Sequence, residues 1–448
     1  MSSDPKPSQK LDFKRVLPIF VIVFIDLLGL TIIIPLLPLY AASYGASPMA
    51  IGALGATYPI LQFIGAPLLG RLSDRFGRRP VLLVSQLGTL LGFVLLGFAN
   101  ALWLLFLSRL IDGISGANIS TAQAAISDST TKETRTQGLG LIGAAFGLGF
   151  IIGPVIAFVS LAISDNNYHF PAFVAAGFSL VALLLTFFWF EETLPKEKRG
   201  GDTGRADVSI KAMLNALRRP QVGVLLSLVF LQQVAFGNLE QLLSLFTLNR
   251  IGLNASGNSV IFVFVGLILV AVQGRFIGPW SRRWGDRRLV TIGLGLLTIG
   301  LLLTAFTPKQ PVPWYSQAEL QAELGGSGDF RTHENPTTQN IAVSLPEGGQ
   351  AGWLGLVWFV VAMIPASIGG GILQPSLNSL ITRTVPESEV GGMLGISSAF
   401  LSGANAIAPL LGGVIFQWLG APAPFLISGI LMGGLWWLAR RRVESQSL

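Results

Sequence analysis

Long apolar runs recur along the whole chain, and they constrain its fold more than any other feature of the sequence. We identify twelve of them, near residues 16–40, 49–70, 80–99, 102–126, 137–161, 170–190, 221–247, 257–277, 288–306, 353–378, 392–418 and 422–439. Runs of about 18 residues or more can cross a bilayer as helices. Only 12% of the 448 residues are charged, about half the fraction in a soluble domain. The sequence therefore predicts an all-α membrane protein with twelve transmembrane helices in the lipid bilayer, rather than a large soluble helical core.

Basic residues are distributed unevenly between the two ends of these spans. If the N-terminus lies inside the cell, the inner tails, loops and helix ends hold all but four of the 30 Lys and Arg residues. The exceptions are Arg250, Lys309 and Arg331 on the outer side and Arg109 within a span. Because cytoplasmic loops are enriched in Lys and Arg, we expect a multi-pass protein of the cell inner (plasma) membrane with both termini cytoplasmic. The same bias explains the net charge of +7 without a nucleic-acid partner.

Residues that would support several other functions are missing from the sequence. It contains no Cys and only two His, His169 and His333, which fall in separate predicted loops. A transition-metal site is therefore not expected. There is no nucleotide-binding glycine motif or nucleophile elbow, and no nucleophile–base set can be assembled. We expect no enzyme activity and no cofactor, and any transport must use an ion gradient or the substrate's own gradient.

The chain divides into two halves that resemble each other. Residues 70–77, GRLSDRFG, align with residues 278–285, GPWSRRWG, each at the inner end of the second span of its half. The segments that end at Pro154 and Pro409 also align, with one register adjustment. Two repeats in the same orientation are typical of transporters whose substrate site lies at mid-membrane between the halves.

This repeat predicts the domain organisation. We expect a cytoplasmic tail at 1–15, a six-helix bundle at 16–190, a cytoplasmic linker at 191–220, a second six-helix bundle at 221–439 and a second tail at 440–448. A long outer loop at 307–352, rich in Pro, Gly and polar residues, interrupts the second bundle. We interpret this loop as a surface insertion. A lid or a partner-binding segment is the alternative.

Four ionisable residues, Asp26, Arg109, Asp112 and Glu240, fall within the apolar spans. Such a residue costs about 2.5–3.5 kcal/mol on insertion scales and is a functional candidate by default. Asp26, near the middle of span 1, is a candidate proton or substrate site; the alternative is a structural hydrogen bond to another helix. Arg109 and Asp112 lie on one helix face, as a structural pair or as part of a proton pathway. Glu240 is a second proton or cation candidate, or a solvated residue near the outer interface.

Other polar and aromatic residues in the spans are candidates for the wall of a substrate cavity. In hydrocarbon, polar side chains form hydrogen bonds between helices, so each is also a candidate for helix packing. The same two interpretations apply to the aromatic residues. The set comprises Gln62, Asn118, Gln123, Phe146, Phe150, Gln233, Gln374, Asn378 and Asn405.

Several stretches, in fixed order, carry a resemblance to a known family. They are FIDLLGLTIIIPLLPLY in span 1, GRLSDRFGRRPVLL after span 2, SRLIDGISGAN in span 4, GFIIGP in span 5 and FEETLPKE after span 6. The sequence resembles the major facilitator superfamily, and more narrowly its twelve-span drug/proton antiporters, which include the tetracycline efflux pumps. Two positions depart from that pattern. Ala157-Phe158 stands where the antiporter motif usually continues into a glycine pair, and Gly92 aligns with a third-span aspartate of the tetracycline pumps.

The resemblance implies roles for particular residues. Arg109 would take part in proton transfer. Asp74 would contact the start of span 11 near Gly391 and Gly392, and Arg78 would bridge Asp74 to Asp128. These contacts would hold the cytoplasmic side shut and break on inward opening. A bend in span 5 at Pro154 would seal the cavity, or would be only a kink. The gating residues implied in this way are Gly70, Asp74, Gly77, Arg78, Arg79, Asp128, Gly149, Gly153 and Pro154.

These observations together predict a secondary transporter of the major facilitator fold. We expect it to export a hydrophobic or amphipathic, drug-like small molecule in exchange for protons, and to function as a monomer. Because of Ala157-Phe158, proton-coupled uptake of a sugar, organic acid or other nutrient is an alternative. A non-transporting membrane sensor or scaffold is an alternative of another class.

Overall fold

The computed structural model describes residues 12–131, 134–199, 210–326, 343–347, 351–386 and 389–444, and these residues form helices and no strands. Twelve of the helices are long and apolar enough to cross a membrane, so the predicted fold class is confirmed. Their bounds are Phe13–Ile33, Pro48–Phe76, Arg78–Gly97, Leu102–Asp128, Arg135–Ile163, His169–Phe188, Pro220–Ile251, Ala255–Trp284, Asp286–Ala305, Leu354–Thr384, Val390–Leu419 and Ala423–Glu444. We number them span 1 to span 12.

Two spans contain a change of helix type. Span 4 consists of Leu102–Ser115 and Ile119–Asp128, joined by a 3-10 turn at Gly116–Asn118. Span 8 contains a π-helical stretch at Ala271–Phe276 between two α-helical parts. Such irregular turns are frequent at functional sites, and the turn in span 4 carries Asn118, one of the predicted site residues.

Span 1 is shorter than predicted. The sequence predicts a helix to residue 40, but the helix ends at Ile33 and a separate short helix follows at Leu37–Ser43. Pro35 and Pro38 explain the break, because proline lacks the backbone N–H that continues a helix and clashes with the preceding turn. Pro38 instead occupies the first turn of the short helix, where that N–H is not needed.

Span 2 is longer than predicted, and this changes the position of Asp74. The helix continues through the charged residues to Phe76, so Asp74 lies in its last turns and not in a loop. Gly77 alone makes the turn into span 3, with φ of 107°, a conformation that favours glycine. Gly285 makes the same turn between spans 8 and 9, with φ of 77°.

The structure describes the linker, the outer loop and the two tails only in part. The linker contains a short helix at Ile210–Arg218, and the outer loop contains a helix at Gln317–Gly326. His169 is not in a loop but begins span 6. His333 and most of the predicted N-terminal tail lie outside the described residues. The predicted C-terminal tail is helical as far as Glu444.

We call the end of the bundle that carries the 307–352 insertion the outer end, following the predicted orientation, and the opposite end the inner end. The two halves are in contact at the outer end. There, Ser244 of span 7 donates to the Pro35 carbonyl at 2.8 Å. Gly52 and Gly413 pack so closely that a Cβ on Gly413 would lie 2.9 Å from the Cα of Gly52.

Spans 5 and 8 contact each other near the middle of their length. A Cβ on Gly266 would lie 2.7 Å from the carbonyl oxygen of Phe150, and a Cβ on Gly147 would lie 3.8 Å from Val270. Further toward the inner end, a Cβ on Gly143 or Gly274 would meet no described atom within 4 Å. The contacts of Ser244 and of Gly52 with Gly413 therefore close the structure at the outer end, and spans 5 and 8 meet near Gly266.

The insertion helix at Gln317–Gly326 takes part in the closure. Its Glu323 accepts hydrogen bonds from Tyr168 Oη of the first half, at 2.9 Å, and from Asn254 Nδ2 of the second half, at 3.2 Å. The Ala255 N–H at the start of span 8 also donates to this carboxylate. Burial raises the pKa of Glu323, although the three donors act in the opposite direction.

Candidate functional site

Asp26 lies in the interior of the first half. Asn118 Nδ2, from the 3-10 turn of span 4, donates to Asp26 Oδ2 at 2.9 Å. The other carboxylate oxygen, Oδ1, is buried and has no hydrogen-bond partner among the described residues. The structural alternative for Asp26, a hydrogen bond to another helix, is therefore present. It satisfies only one of the two oxygens.

Arg109 and Asp112 form the local pair that their spacing predicts. The Arg109 Nη1 and Asp112 Oδ2 atoms are 3.1 Å apart, and each side chain is only 2% exposed. The guanidinium carbon also lies 5.3 Å from the centre of the Phe93 ring, within the range of a cation–π contact. Within the described part of the chain, Arg109 Nε and Nη2 are buried without hydrogen-bond partners. The pair thus leaves two donors of the arginine available for another acceptor.

Gly92 packs directly against this pair. A Cβ on Gly92 would lie 3.0 Å from the Cβ of Asp112 and 3.1 Å from the Ser108 carbonyl oxygen. A side chain at this position would require span 3 or span 4 to move by a few tenths of an ångström. The departure at Gly92 therefore accompanies close packing of spans 3 and 4 around Asp112.

The other polar candidates of the first half have mixed environments. Gln62 Nε2 donates to Tyr58 Oη at 3.1 Å and to the Gly116 carbonyl at 3.2 Å, so it ties span 2 to the turn in span 4. Gln123 is exposed. Phe146 packs against the apolar core of the first half, whereas the backbone of Phe150 lies where spans 5 and 8 meet.

In the second half, amide side chains bond to one another across helices. Gln233 Nε2 of span 7 donates to Asn405 Oδ1 of span 11 at 2.7 Å, and Ser397 Oγ donates to Asn378 Oδ1 at 3.1 Å. These contacts fit the packing interpretation. Gln374 is half-buried in span 10.

Glu240 has a different environment from the other carboxylates in the spans. It is half-buried, and the structure assigns it no hydrogen-bond or ion-pair partner among the described residues. The next residue, Gln241, faces span 2 of the first half, where its Oε1 lies 3.1 Å from the position of a Cβ on Gly55. Glu240 therefore lies on span 7 next to a residue that contacts the other half.

The glycines of span 5 allow it to approach span 1. A Cβ on Gly149 would lie 3.5 Å from the Thr31 side chain, and a Cβ on Gly153 would overlap it. Pro154 lies inside the helix and does not end it. The small residues of the GFIIGP stretch thus serve close packing within the first half.

Arg78 is the centre of a cluster that we call the first inner node, formed with Ser73, Asp74 and Asp128. Arg78 Nε donates to Asp128 Oδ2 at 2.8 Å, Nη1 donates to Ser73 Oγ at 2.7 Å, and Nη1 also binds Asp74. The Arg78 side chain is 3% exposed. The bridge from Asp74 to Asp128 that the resemblance implies is therefore present. The contact between Asp74 and span 11 stays a prediction.

Two further gating candidates lie beside this node. Gly70 is buried one turn before Asp74 in span 2. The guanidinium of Arg79 donates to the Phe187 carbonyl at the end of span 6. The Arg79 contact ties the start of span 3 to the end of span 6.

Glu192 is a further residue at the connection between spans 2 and 3, and the sequence pattern did not predict its role. Its carboxylate accepts from the Arg78 N–H at 2.8 Å and the Arg79 N–H at 3.3 Å, so it caps the first turn of span 3. Gly77 precedes that turn and has no side chain with which to cap it. The signal lay in the FEETLPKE stretch, which the resemblance singled out without assigning a role to Glu192.

The second half contains a cluster that the sequence pattern did not predict. We call it the second inner node, and it is formed by Ser281, Asp286, Ser379 and Arg383. Asp286 follows Gly285 as Arg78 follows Gly77, and it accepts from Ser281 Oγ and Ser379 Oγ. Arg383, at the inner end of span 10, lies 3.1 Å from Asp286. Ser281 and Asp286 are the repeat counterparts of Ser73 and Arg78. The second half therefore contains the same arrangement with a buried anion in place of the buried cation.

Comparison with known proteins identifies the family. The family model of the Major Facilitator Superfamily matches residues 19–328 and 340–448. The chain belongs to the major facilitator superfamily. The superfamily consists of transporters, so the two-bundle architecture, the repeat and the intramembrane charges belong to a transport protein.

Individual members of the superfamily are similar over most of the chain. The tetracycline resistance protein, class B, of Escherichia coli is 30% identical over 89% of this chain and 87% of its own length. Multidrug resistance protein 2 of Bacillus subtilis (strain 168) is 25% identical over 92% of this chain and 90% of its own length. Among solved structures, that of the nucleoside transporter NupG matches the fold with a TM-score of 0.68, at 12% identity over 95% of this chain and 98% of that one.

Proposed function

We propose that this major facilitator protein exports a hydrophobic or amphipathic, drug-like small molecule in exchange for protons. The observation that carries the proposal is the group of ionisable side chains in the apolar interior of the first half, where Asp26 lies near the Arg109–Asp112 pair. Transporters place such groups within the membrane at proton and ion pathways. The similarity to tetracycline and multidrug resistance proteins favours drug-like substrates and export.

Asp26 is the proposed proton site. Asn118 binds one of its oxygens, and the other oxygen is free to carry a proton. Asp112 is close enough to Asp26 to interact with it electrostatically. A movement that separates Arg109 from Asp112 would therefore change the charge near Asp26. Glu240, which has no bonded partner among the described residues, is the proposed secondary site on the side of the second half.

Alternating access follows from the two ends of the bundle. The structure is closed at the outer end, where Gly52 meets Gly413 and Glu323 binds both halves. Export requires these contacts to open while the inner end closes. We propose that the first inner node, built on Arg78, holds Asp74 in place to contact the start of span 11 in that second conformation, and that this contact joins the halves at the inner end. Proton binding at Asp26 selects between the two conformations.

We further propose that the protein works as a monomer in the cell inner membrane with both termini in the cytoplasm. The uneven distribution of Lys and Arg supports this orientation. Tetracycline itself is not the assigned substrate, because Gly92 replaces the third-span aspartate of the tetracycline pumps. The charged inner node is then a cytoplasmic feature, and the insertion faces outward.

Transport into everted membrane vesicles tests the proposal. Vesicles acidified inside by respiration are supplied with a panel that includes tetracycline, ethidium and other amphipathic dyes, beside vesicles that contain the Asp26→Asn variant. Proton-driven accumulation of at least one compound, lost in Asp26→Asn, is expected. No accumulation across the panel would overturn drug export. Proton-driven release of a sugar or organic acid would favour the uptake alternative.

A further inference from the structure

A small cavity lies in the interior of the first half, beside the proposed proton site. Its volume is about 10 Å³, and Asp26 of span 1, Gln86 of span 3 and Asn118 of span 4 form its polar wall. The rest of the wall is apolar and includes Val23, Leu82 and Phe190. A cavity of about 10–15 Å³ accommodates one water molecule if two or more polar groups line it. This cavity meets both conditions.

The hydrogen-bond inventory of the wall is unbalanced. Asn118 donates to Asp26 Oδ2. Asp26 Oδ1 and Gln86 Oε1 are both buried acceptors without a partner in the described part of the chain, and Gln86 is only 1% exposed. Buried polar atoms are nearly always hydrogen-bonded to protein or to ordered water. Two acceptors cannot satisfy each other, but one water can donate a hydrogen to each.

We infer that Gln86 positions a single buried water molecule that hydrates the Asp26 carboxylate. This inference rests on the proposed role of Asp26 as the proton site. Gln86 does not touch the proton in this arrangement. It holds the water, and the water donates to Asp26 Oδ1 while Asn118 donates to Oδ2. The ionised carboxylate then has a donor at each oxygen, although the wall around it is mostly apolar.

The water serves the ionised form of Asp26 more than the protonated form. Hydrogen bonds to a charged acceptor are about twice as strong as those between neutral groups. Removal of the Gln86 amide leaves the water with too few partners to stay in the cavity. The ionised form of Asp26 then loses more hydrogen-bond stabilisation than the protonated form. Asp26 would then keep its proton to higher pH, and the exchange of a proton for substrate would slow down at neutral pH.

Other charged and titratable groups near Asp26 do not share this cavity. Asp112 and Arg109 of span 4 pair with each other, and Tyr58 of span 2 lies close enough to interact with both aspartates. None of these three lines the cavity. A substitution at Gln86 therefore changes the hydration of Asp26 without removing a charge from its surroundings.

Infrared titration of the purified full-length protein tests the inference without a transported ligand. The carbonyl band of protonated carboxyl groups is followed against pH, and the component that disappears in Asp26→Asn identifies Asp26. In Gln86→Met, which keeps the volume of the side chain and removes its acceptor, the midpoint of that component should move up by about one pH unit, a tenfold change in proton affinity. Gln86→Asn keeps an amide and leaves room for the water, so its midpoint should lie between those of Gln86→Met and the wild-type protein.

The outcomes separate this inference from the function on which it rests. If Asp26→Asn removes no titrating band, Asp26 is not the proton site and the proposed function fails. If Asp26 titrates but Gln86→Met leaves its midpoint unchanged, only the present inference fails. A shift to lower pH would also overturn it, because Gln86 would then accept directly from the protonated acid. Thermal unfolding of each variant shows whether a change reflects loss of the fold.

Discussion

The two inner nodes occupy equivalent positions in the repeat, and their central residues carry opposite charges. In the first half, the buried cation Arg78 lies between Asp74 and Asp128, whose side chains are only 14% and 23% exposed. In the second half, the buried anion Asp286 binds two serines and Arg383, and the Arg383 side chain is 68% exposed. Both central residues follow a glycine with positive φ. The geometry is thus repeated, while the sign of the charge and its shielding differ.

This difference shows which property of the node the fold requires. The glycine turn brings the next side chain into the space between the second, third and fourth spans of each half, and that space is buried. A charge there must be paired, because an unpaired buried charge is strongly unfavourable. Either sign meets this requirement if its partners match. The first half has the more shielded pairs, and it also holds Asp26, Arg109 and Asp112, three of the four ionisable residues in the predicted apolar runs.

The largest effect should come from replacement of Asp26, with Glu240 of the second half as the matched comparison. Asp26→Asn is expected to abolish uphill transport while expression is kept, because the side chain can no longer release a proton. Glu240→Gln, the matched change in the second half, should lower the rate only a few-fold. Proton-driven dye accumulation in everted vesicles measures both. Equal loss in the two variants would mean that coupling is shared between the halves, and undiminished transport in Asp26→Asn would refute its role.

Arg109→Gln should destabilise the first half. It leaves Asp112 buried without its cation, and removal of one member of a buried pair costs about 3–5 kcal/mol. The double variant Arg109→Gln/Asp112→Asn removes both charges and should regain most of the stability without regaining transport. Thermal unfolding in detergent and vesicle transport check the two parts. If the double variant transports at the wild-type rate, the pair is only structural.

The two inner nodes should differ in their sensitivity to neutralisation. Arg78→Gln leaves Asp74 and Asp128 close together without a cation, so we expect a loss of transport of about tenfold, equivalent to about 1.4 kcal/mol. Asp286→Asn should have a smaller effect, because an amide oxygen still accepts from the serines and because its partner Arg383, at 68% exposure, stays solvated by water. Initial transport rates at equal expression test this order. The reverse order would show that the second node controls the inner end.

The smallest effect should concern Glu323, which joins the halves at the outer end. Its pKa is raised by burial in the closed arrangement, and it returns toward the ordinary value of about 4.3 when opening exposes the side chain. The closed arrangement therefore binds the proton more tightly, so closure strengthens as the outer pH falls from above the raised pKa toward the ordinary value. Distances between spin labels at the outer end, measured against pH, should show this trend. Glu323→Gln should abolish it, and an unchanged trend in that variant would assign it to another group.

The spans were predictable from the sequence because hydropathy depends on composition over many residues. The errors occurred where single residues decide the local backbone. Pro35 and Pro38 end span 1 early, and a charged segment continues span 2 as helix to Phe76. Hydropathy and charge do not reveal where span 2 ends, because Arg and Asp are compatible with the last turns of a helix that extends beyond the membrane.

The site was predictable in its ionisable residues and in Asn118. Asp26, Arg109 and Asp112 are conspicuous because charge is rare in apolar spans. Gln86 did not stand out, because its role depends on a cavity shared by three helices. Asp286 follows directly on the residues that were aligned between the halves, and its partner Arg383 lies nearly 100 residues away, so the pairing needed the folded structure.

The contact between Gly52 and Gly413 has a practical consequence for structure determination. Because a Cβ on Gly413 would come within 2.9 Å of the Gly52 backbone, a bulky residue at either position acts as a wedge against the outer closure. A Gly52→Leu variant should therefore populate the opposite conformation and make it accessible to imaging. Since the sequence contains no cysteine, pairs of engineered cysteines can report the separation of the two ends without background labelling.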